Sequence, residues 1–378
     1  MVHDPYSIQP RRRSGRRYAI VLFIIVVLIA GWAWAWKYAA AQAQAAVEGW
    51  RVREAKAGRV YSCGAQSVGG FPFRIEVNCQ RASAQLHNEG TALEIKTPSV
   101  VVAAQIYEPE TLVSQFIGPL TVAVAGHAPF LSANWTYGES RVTGTPRAPQ
   151  SASLSFERPT VDRIADGKHE NLLSAKHIEM SGRIASGSAA DHPVIEFALR
   201  AERASAPGFN RAAEPPIDAD LTMVLRGLSD FSPEPWPVRF RQLQQAGGRI
   251  DITQARVKQG DTLAVGKGSL SIDGKGQLAG QVNVTVAGLE PFLEAIGAAK
   301  AIQQSHNMDK VAGFLDRLSP GLGDVARQQA GANLGAGITM LGQPATLDGR
   351  RAVTLPLRFA DGTAYLGPIP LGPTPALF

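Results

Sequence analysis

The sequence has little cysteine, little charge and none of the common catalytic signatures. Cysteine occurs twice in 378 residues, at Cys63 and Cys79. Two cysteines exclude a disulfide-dense scaffold and the paired spacings of a structural zinc site. Charged residues make up 19%, below the usual quarter. There is no GxxxxGK[ST] loop, no HExxH, no GxSxG elbow and no SxxK. The P-loop, zincin and serine-hydrolase chemistries therefore lack their residues, and neither an enzyme nor a cofactor is expected.

Basic charge is also missing from most of the chain. The net charge of +6 is concentrated in residues 1–37, where Arg11, Arg12, Arg13, Arg16, Arg17 and Lys37 face only Asp4. The remainder holds 32 basic and 31 acidic residues. A nearly neutral body lacks the basic face that phosphate backbones require, so no nucleic-acid partner is expected.

What is present begins with residues 19–36, AIVLFIIVVLIAGWAWAW, which carry no charge. A helix of this length rises roughly 27 Å, close to the hydrocarbon thickness of a bilayer. Trp32, Trp34 and Trp36 crowd one end, where amphipathic rings favour the headgroup layer, and arginines including Arg16 and Arg17 crowd the other. Positive charge stays on the cytoplasmic side, so residues 1–18 are expected inside and residue 37 onward outside. A cleavable signal peptide is the alternative, since Ala39–Ala41 and Ala41–Ala43 offer small-residue cleavage patterns. Residues 37–57 are rich in helix formers and predict a stalk that docks its Trp50 side on the domain. Residues 58–378 are then a periplasmic domain of an inner-membrane protein in a Gram-negative bacterium.

In that compartment a Cys63–Cys79 disulfide is expected. Fifteen residues lie between the two, and closing that loop contributes roughly 3 kcal/mol in the loop-entropy model. A reactive or metal-binding pair is the alternative, but there is no CxxC spacing and only His87 is close in sequence. The run GFPFRIEVNC predicts a strand with Phe71, Phe73, Ile75, Val77 and Cys79 on one face.

The 38 Gly and 25 Pro residues suit many strands and turns. Apolar residues alternate at Leu120, Val122 and Val124, at Ile178, Met180 and Ile184, at Leu278, Val282, Val284 and Val286, and at Val353, Leu355, Leu357 and Phe359. Asp273–Gly276 and Asp361–Gly362 predict hairpin turns. A short helix is expected at Pro109–Ile117, and two or three more near 289–335, where Pro291 and Pro320 suit first turns. Proline-rich 205–216 and 232–237 predict loops or boundaries. The expected fold is mostly β (a β-rich α+β fold): a transmembrane helix, then a large curved antiparallel sheet with one wet face and a few covering helices.

Individual polar residues carry bland expectations. Asp162 and Asp166, a helical turn apart near His169, read as a solvated helix face. His169 and His177 read as surface histidines. Gly266, Gly268, Gly274 and Gly276 read as turn and bulge glycines. Arg74 reads as one half of a cross-strand ion pair, with a lipid headgroup as its sharper alternative. Trp135 and Tyr137 are expected to share one strand face, in the core or along an apolar groove.

The segment Gly69-Gly70-Phe71-Pro72-Phe73-Arg74-Ile75, ending in Cys79 and set after a Trp-rich anchor, resembles the domain of unknown function 2125 family. So do GSLSIDGKGQLAGQVNVTVAGL and the ending LPLRFADGTAYLGPIPLGPTP. The resemblance implies a membrane-anchored envelope protein of alphaproteobacteria and transfers no catalytic residue. More loosely, strands behind one membrane helix resemble the AsmA-like envelope proteins implicated in moving lipid. Together these readings predict a non-enzymatic envelope protein. Lipid handling is the first expectation, and a scaffold for other envelope proteins is the alternative.

Overall fold

The computed structural model describes residues 15–56, 58–88, 91–145, 148–208, 214–231, 234–288, 342–367 and 369–378. The described residues hold two α-helices and one antiparallel sheet of twenty strands. The first helix, α1 (Gly15–Lys56), runs unbroken through the apolar stretch and the alanine-rich stretch that follows it. Arg53 and Lys56 occupy its last turn, where cations complement the helix dipole.

The sheet opens with β1 (Arg59–Gly69), β2 (Arg74–Asn88) and β3 (Thr91–Gln105), each antiparallel to the one before. Next come long strands broken once in the middle: β4 (Glu108–Ile117) with β5 (Leu120–Val124), and β6 (Pro129–Asn134) with β7 (Tyr137–Thr145). The pairs β8 (Ala148–Glu157) with β9 (Thr160–Ala165), and β10 (Lys168–Ser174) with β11 (His177–Ser188), repeat the pattern. Strands β12 (Asp191–Ala204) and β13 (Ile217–Arg226) precede the short helix α2 (Trp236–Gln245). The meander resumes with β14 (Arg249–Gln259), β15 (Thr262–Ile272) and β16 (Leu278–Ala287). It ends with β17 (Gln343–Leu347), β18 (Arg350–Ala360), β19 (Thr363–Leu366) and β20 (Ile369–Pro373). Strand β16 pairs with β18, whose other edge takes β17 and β19. The sheet is open, since β1 pairs with β2 and not with the strands at the far end.

The breaks line up into a crease across the first half of the sheet. It passes from Arg81 through Pro98, Gly118–Pro119, Trp135–Thr136, Arg158–Pro159 and Ala175–Lys176 to Arg203, each skipped in the ladder between its neighbours. Arg81, Arg158 and Arg203 all adopt φ of 48°. Bulges of this kind bend a sheet and reverse its alternation, so apolar positions change parity across the crease. Phe156 and Leu154 lie on the apolar face before it, and Val161 takes over after it.

Several sequence expectations hold. The alternating runs are β5, β11, β16 and β18, and Asp273 closes the turn before β16 through its carbonyl and side chain. Gly266 and Gly268 sit opposite a bulge in β14, and Gly276 takes φ of 74° in the turn. Others need correction. Pro109–Ile117 is not a helix but most of β4, paired on both edges by β3 and β7. Asp162 and Asp166 are not on a helix: Asp162 lies in β9, and Asp166–Gly167 turns the chain into β10 with φ of 51° and 71°. This is a type I′ pattern, repeated at Asp348–Gly349 and Asp361–Gly362. Phe71 and Phe73 are not on a strand, because β2 starts at Arg74 and residues 71–73 form a turn. The boundary at 232–237 leads directly into α2, whose proline in the first turn suits a helix start. The helices expected near 289–335 lie outside the described residues.

Candidate functional site

Strand register sorts the sheet into two faces. Following directly opposed residues, Ile75, Val77 and Cys79 on β2 meet Ala104, Val102 and Val100 on β3. The same face continues through Leu112 and Phe116, then Val142, then Leu154 and Phe156. It passes to Ile178 and Met180, Leu199 and Phe197, Leu221 and Met223, and Ile252. It ends on Val282, Val284 and Val286 with Val353, Leu355 and Leu357. Period-2 alternation thus builds one apolar face across the whole meander.

The two helices lie on this face at opposite ends. Arg51 of α1 donates to Gln66 Oε1 at 2.7 Å, and Gln66 shares the face of Cys79. Trp50 stacks at a tilt on Tyr61, with ring centroids 4.6 Å apart, which docks the expected side of the helix. At the other end, Phe240 and Leu243 of α2 close over Leu225, Ile250 and Leu270 around a void of about 50 Å³. Tight packing concentrates at this second end, where Leu263, Val286, Leu355 and Leu366 are almost fully buried. Between the helices the apolar side chains of β8, β11 and β12 are mostly half-buried, and a cavity of about 210 Å³ is lined by Ala152, Gly182, Ile184, Ile195 and Phe231.

The opposite face is polar, and many of its charges are paired with neighbours. Arg183 meets Glu196 at 2.6 Å, Arg200 meets Asp220 at 3.0 Å, and Arg141 meets Glu139 at 3.5 Å. Asp251 meets both Arg226 at 3.1 Å and Arg249 at 3.2 Å. Burial pushes the Asp251 carboxyl up, but hydrogen bonds from Ser269 and Arg226 and the charges of Arg249 and Arg226 outweigh it, and the pKa falls. Tyr137 donates its hydroxyl to Glu139, and that bond foremost raises the phenol pKa. A cleft of about 320 Å³ near Arg74, Glu76, Gln105, Glu108 and Arg141 carries both signs of charge.

Each residue singled out in the sequence has a definite place. Cys63 and Cys79 form a disulfide between β1 and β2. Arg74 pairs with Glu76 at 2.9 Å along its own strand, which corrects the cross-strand expectation: side chains two apart on a strand share a face. Trp135 and Tyr137 do not share a face. Trp135 sits in the crease, packs its ring on Phe156 at 4.9 Å and donates to the Phe116 carbonyl, whereas Tyr137 starts β7 on the polar side. His177 lies 2.8 Å from Glu157, and His169 is on β10, a separate strand. Among the described residues no three His, Cys, Asp or Glu side chains converge to hold a metal.

The arrangement not read from the sequence joins the apolar run of α1 to the β1–β2 turn. Trp32 Nε1 donates to the Pro72 carbonyl at 3.0 Å, and Trp36 Nε1 to the Arg74 carbonyl at 2.8 Å. Gly70 adopts φ of 97° and its carbonyl accepts from the Arg74 N–H, which closes the turn. The three tryptophans and the Gly-Phe-Pro-Phe-Arg run were both visible in the sequence, but nothing in either named the other as its partner. The apolar window of α1 is long and apolar enough to cross a membrane and has none of its residues buried against the protein.

No curated protein and no solved structure matches the chain. Residues 36–375 match the family DUF2125, described as an uncharacterized protein conserved in bacteria. The match takes in the turn, the disulfide and the sheet, and the chain therefore belongs to the DUF2125 family.

Proposed function

We propose that this is a non-enzymatic inner-membrane protein, anchored by α1, whose periplasmic sheet handles lipid on its apolar face. One observation carries the reading. The apolar face runs from the strands beside the anchor helix to the strands under α2, and its middle is only half-buried. Such a surface accepts acyl chains through burial alone and needs no reacting group. Arg16 and Arg17 at the start of α1 support an N-terminus in the cytoplasm, and the tryptophans at the far end of its apolar run support an interface there. The disulfide supports an oxidising compartment for the sheet. Many charged side chains of the polar face are paired with one another, as Arg183 is with Glu196 and Arg200 with Asp220, which favours a binding surface over a catalyst.

The test is to extract the full chain from membranes and analyse its lipid by mass spectrometry. Acyl lipid should co-purify, and Met180→Glu with Leu199→Glu, two opposed half-buried residues of the apolar face, should remove most of it. A lipid-free preparation that crosslinks repeatedly to the same envelope proteins would replace lipid handling by a scaffold role. A reporter fused after Lys37 that proved cytosolic would remove the periplasmic reading.

A further inference from the structure

The turn held by Trp32 and Trp36 presents aromatic side chains to the surroundings. Phe71 is 53% exposed and Phe73 65% exposed. A second turn joins them, because the Ile106 N–H donates to the Phe73 carbonyl at 3.0 Å. That turn carries Tyr107, 76% exposed. Two turns from different hairpins, joined by this bond, thus carry three aromatic rings that are each more than half exposed. Their height is set by Trp32 and Trp36, where the uncharged run of α1 ends. This is the depth at which a spanning helix passes through the headgroup layer; Tyr107 has the polar end that suits this layer, and Phe71 and Phe73 offer apolar rings that bury at its acyl boundary. Nearby charge is mixed, with Arg74 and Glu76 paired at 2.9 Å and Glu108 following Tyr107. An attraction confined to anionic lipid is not what the site offers.

We propose that the 70–73 and 106–107 turns form a second membrane contact, in which Phe71, Phe73 and Tyr107 sit in the headgroup layer of the bilayer that α1 crosses. The occupant of this surface is the phospholipid interface itself. The contact holds the first hairpins of the sheet against the membrane and so fixes the tilt of α1, to which they are docked. It rests on the reading of α1 as a spanning helix, and not on lipid handling by the apolar face.

The experiment uses the full chain in phosphatidylcholine vesicles. Both native cysteines are bonded to each other, so a single added cysteine takes a fluorescent label without competition. Phe73→Cys and Tyr107→Cys are compared with Asp348→Cys at a turn elsewhere in the sheet and Ile25→Cys within α1. Lipid brominated high on its acyl chains should quench the labels at 73 and 107 several-fold more than the label at 348, and aqueous iodide should show the reverse order. In Phe73→Ser with Tyr107→Ser, a label at Phe71→Cys should lose most of its lipid quenching. Labels at 73 and 107 that respond like 348, while 25 remains quenched by lipid, overturn the proposal and leave the anchor intact. Loss of lipid quenching at 25 as well would show that α1 itself does not cross the bilayer. Unchanged quenching at 71 in the double variant would remove the role given to the aromatic pair.

Discussion

Trp36 meets Phe71 edge to face, with ring centroids 5.6 Å apart and planes at 90°. This contact, with the two indole hydrogen bonds beside it, ties the end of the apolar run to the first turn of the sheet. Removing it tests whether helix and turn act as one unit. Trp36→Ala deletes the edge contact and one hydrogen bond, together worth about 1–2 kcal/mol. The amides of residues 73 and 74 should exchange hydrogen roughly ten-fold faster, while those of β15 and β16 are unchanged. Equal acceleration throughout would mean that the tryptophan supports global stability.

The disulfide has a testable share of that stability. Cys63 and Cys79 lie on adjacent strands with Cα atoms 5.4 Å apart, and Arg51 of α1 reaches both the Cys63 sulfur and Gln66. Replacing both cysteines with alanine should cost about 2–4 kcal/mol in denaturant unfolding of the detergent-solubilised chain. Reductant should weaken the natural chain to a similar degree and leave the double variant unaffected.

Asp251 gives the polar face a pH signature. Its carboxyl is held below its ordinary value in the folded protein. A depressed folded pKa contributes stability that is fully present above the unfolded pKa and lost as pH falls through the folded one. Asp251→Asn should therefore cost about 1 kcal/mol near pH 7, since the site is partly exposed and hydrogen bonds to a charged group are among the stronger ones. The difference from the natural chain should shrink below about pH 4, near the ordinary carboxylate value. A pH-independent difference would assign the loss to packing.

How much of this was legible depends on where alternation stays regular. The runs that became β11, β16 and β18 keep one parity within each strand, so their apolar faces could be read directly. At Trp135–Thr136 and Arg158–Pro159 the parity switches, and a pattern read straight through mixes the two faces. That is why simple alternation puts Trp135 and Tyr137 on a common face. The Asp166–Gly167 turn carried its signal in the dipeptide, but the acids a helical turn apart masked it. Helix α2 offered Pro237 near its start and Gly247–Gly248 after its end, a pattern that the surrounding prolines made look like a loop. The β1–β2 turn was harder, because its geometry depends on two tryptophans some 40 residues earlier.

Two glycines on one hairpin separate close packing from turn chemistry. Gly268 lies within β15, and a Cβ there would sit 2.2 Å from the Gln281 carbonyl oxygen and 2.5 Å from Val282 Cα. Both obstacles are backbone, so β16 must move away, and its pairing with β18 on the other edge resists that movement. Gly274, in the turn between the same strands, has nothing within 4 Å of the corresponding position. Gly268→Ala should therefore cost more than about 2 kcal/mol through overpacking, with loss of hydrogen-exchange protection along β15 and β16. Gly274→Ala should stay within about 0.5 kcal/mol, as surface changes do. Because β16 also pairs with β18, damage at Gly268 should spread to the buried Leu355 and Leu366, whereas the Trp36 junction at the other end of the sheet should keep its protection. Loss of protection at both ends would show that the sheet unfolds as one cooperative unit, and loss confined to the far end would show that the meander breaks into separable parts.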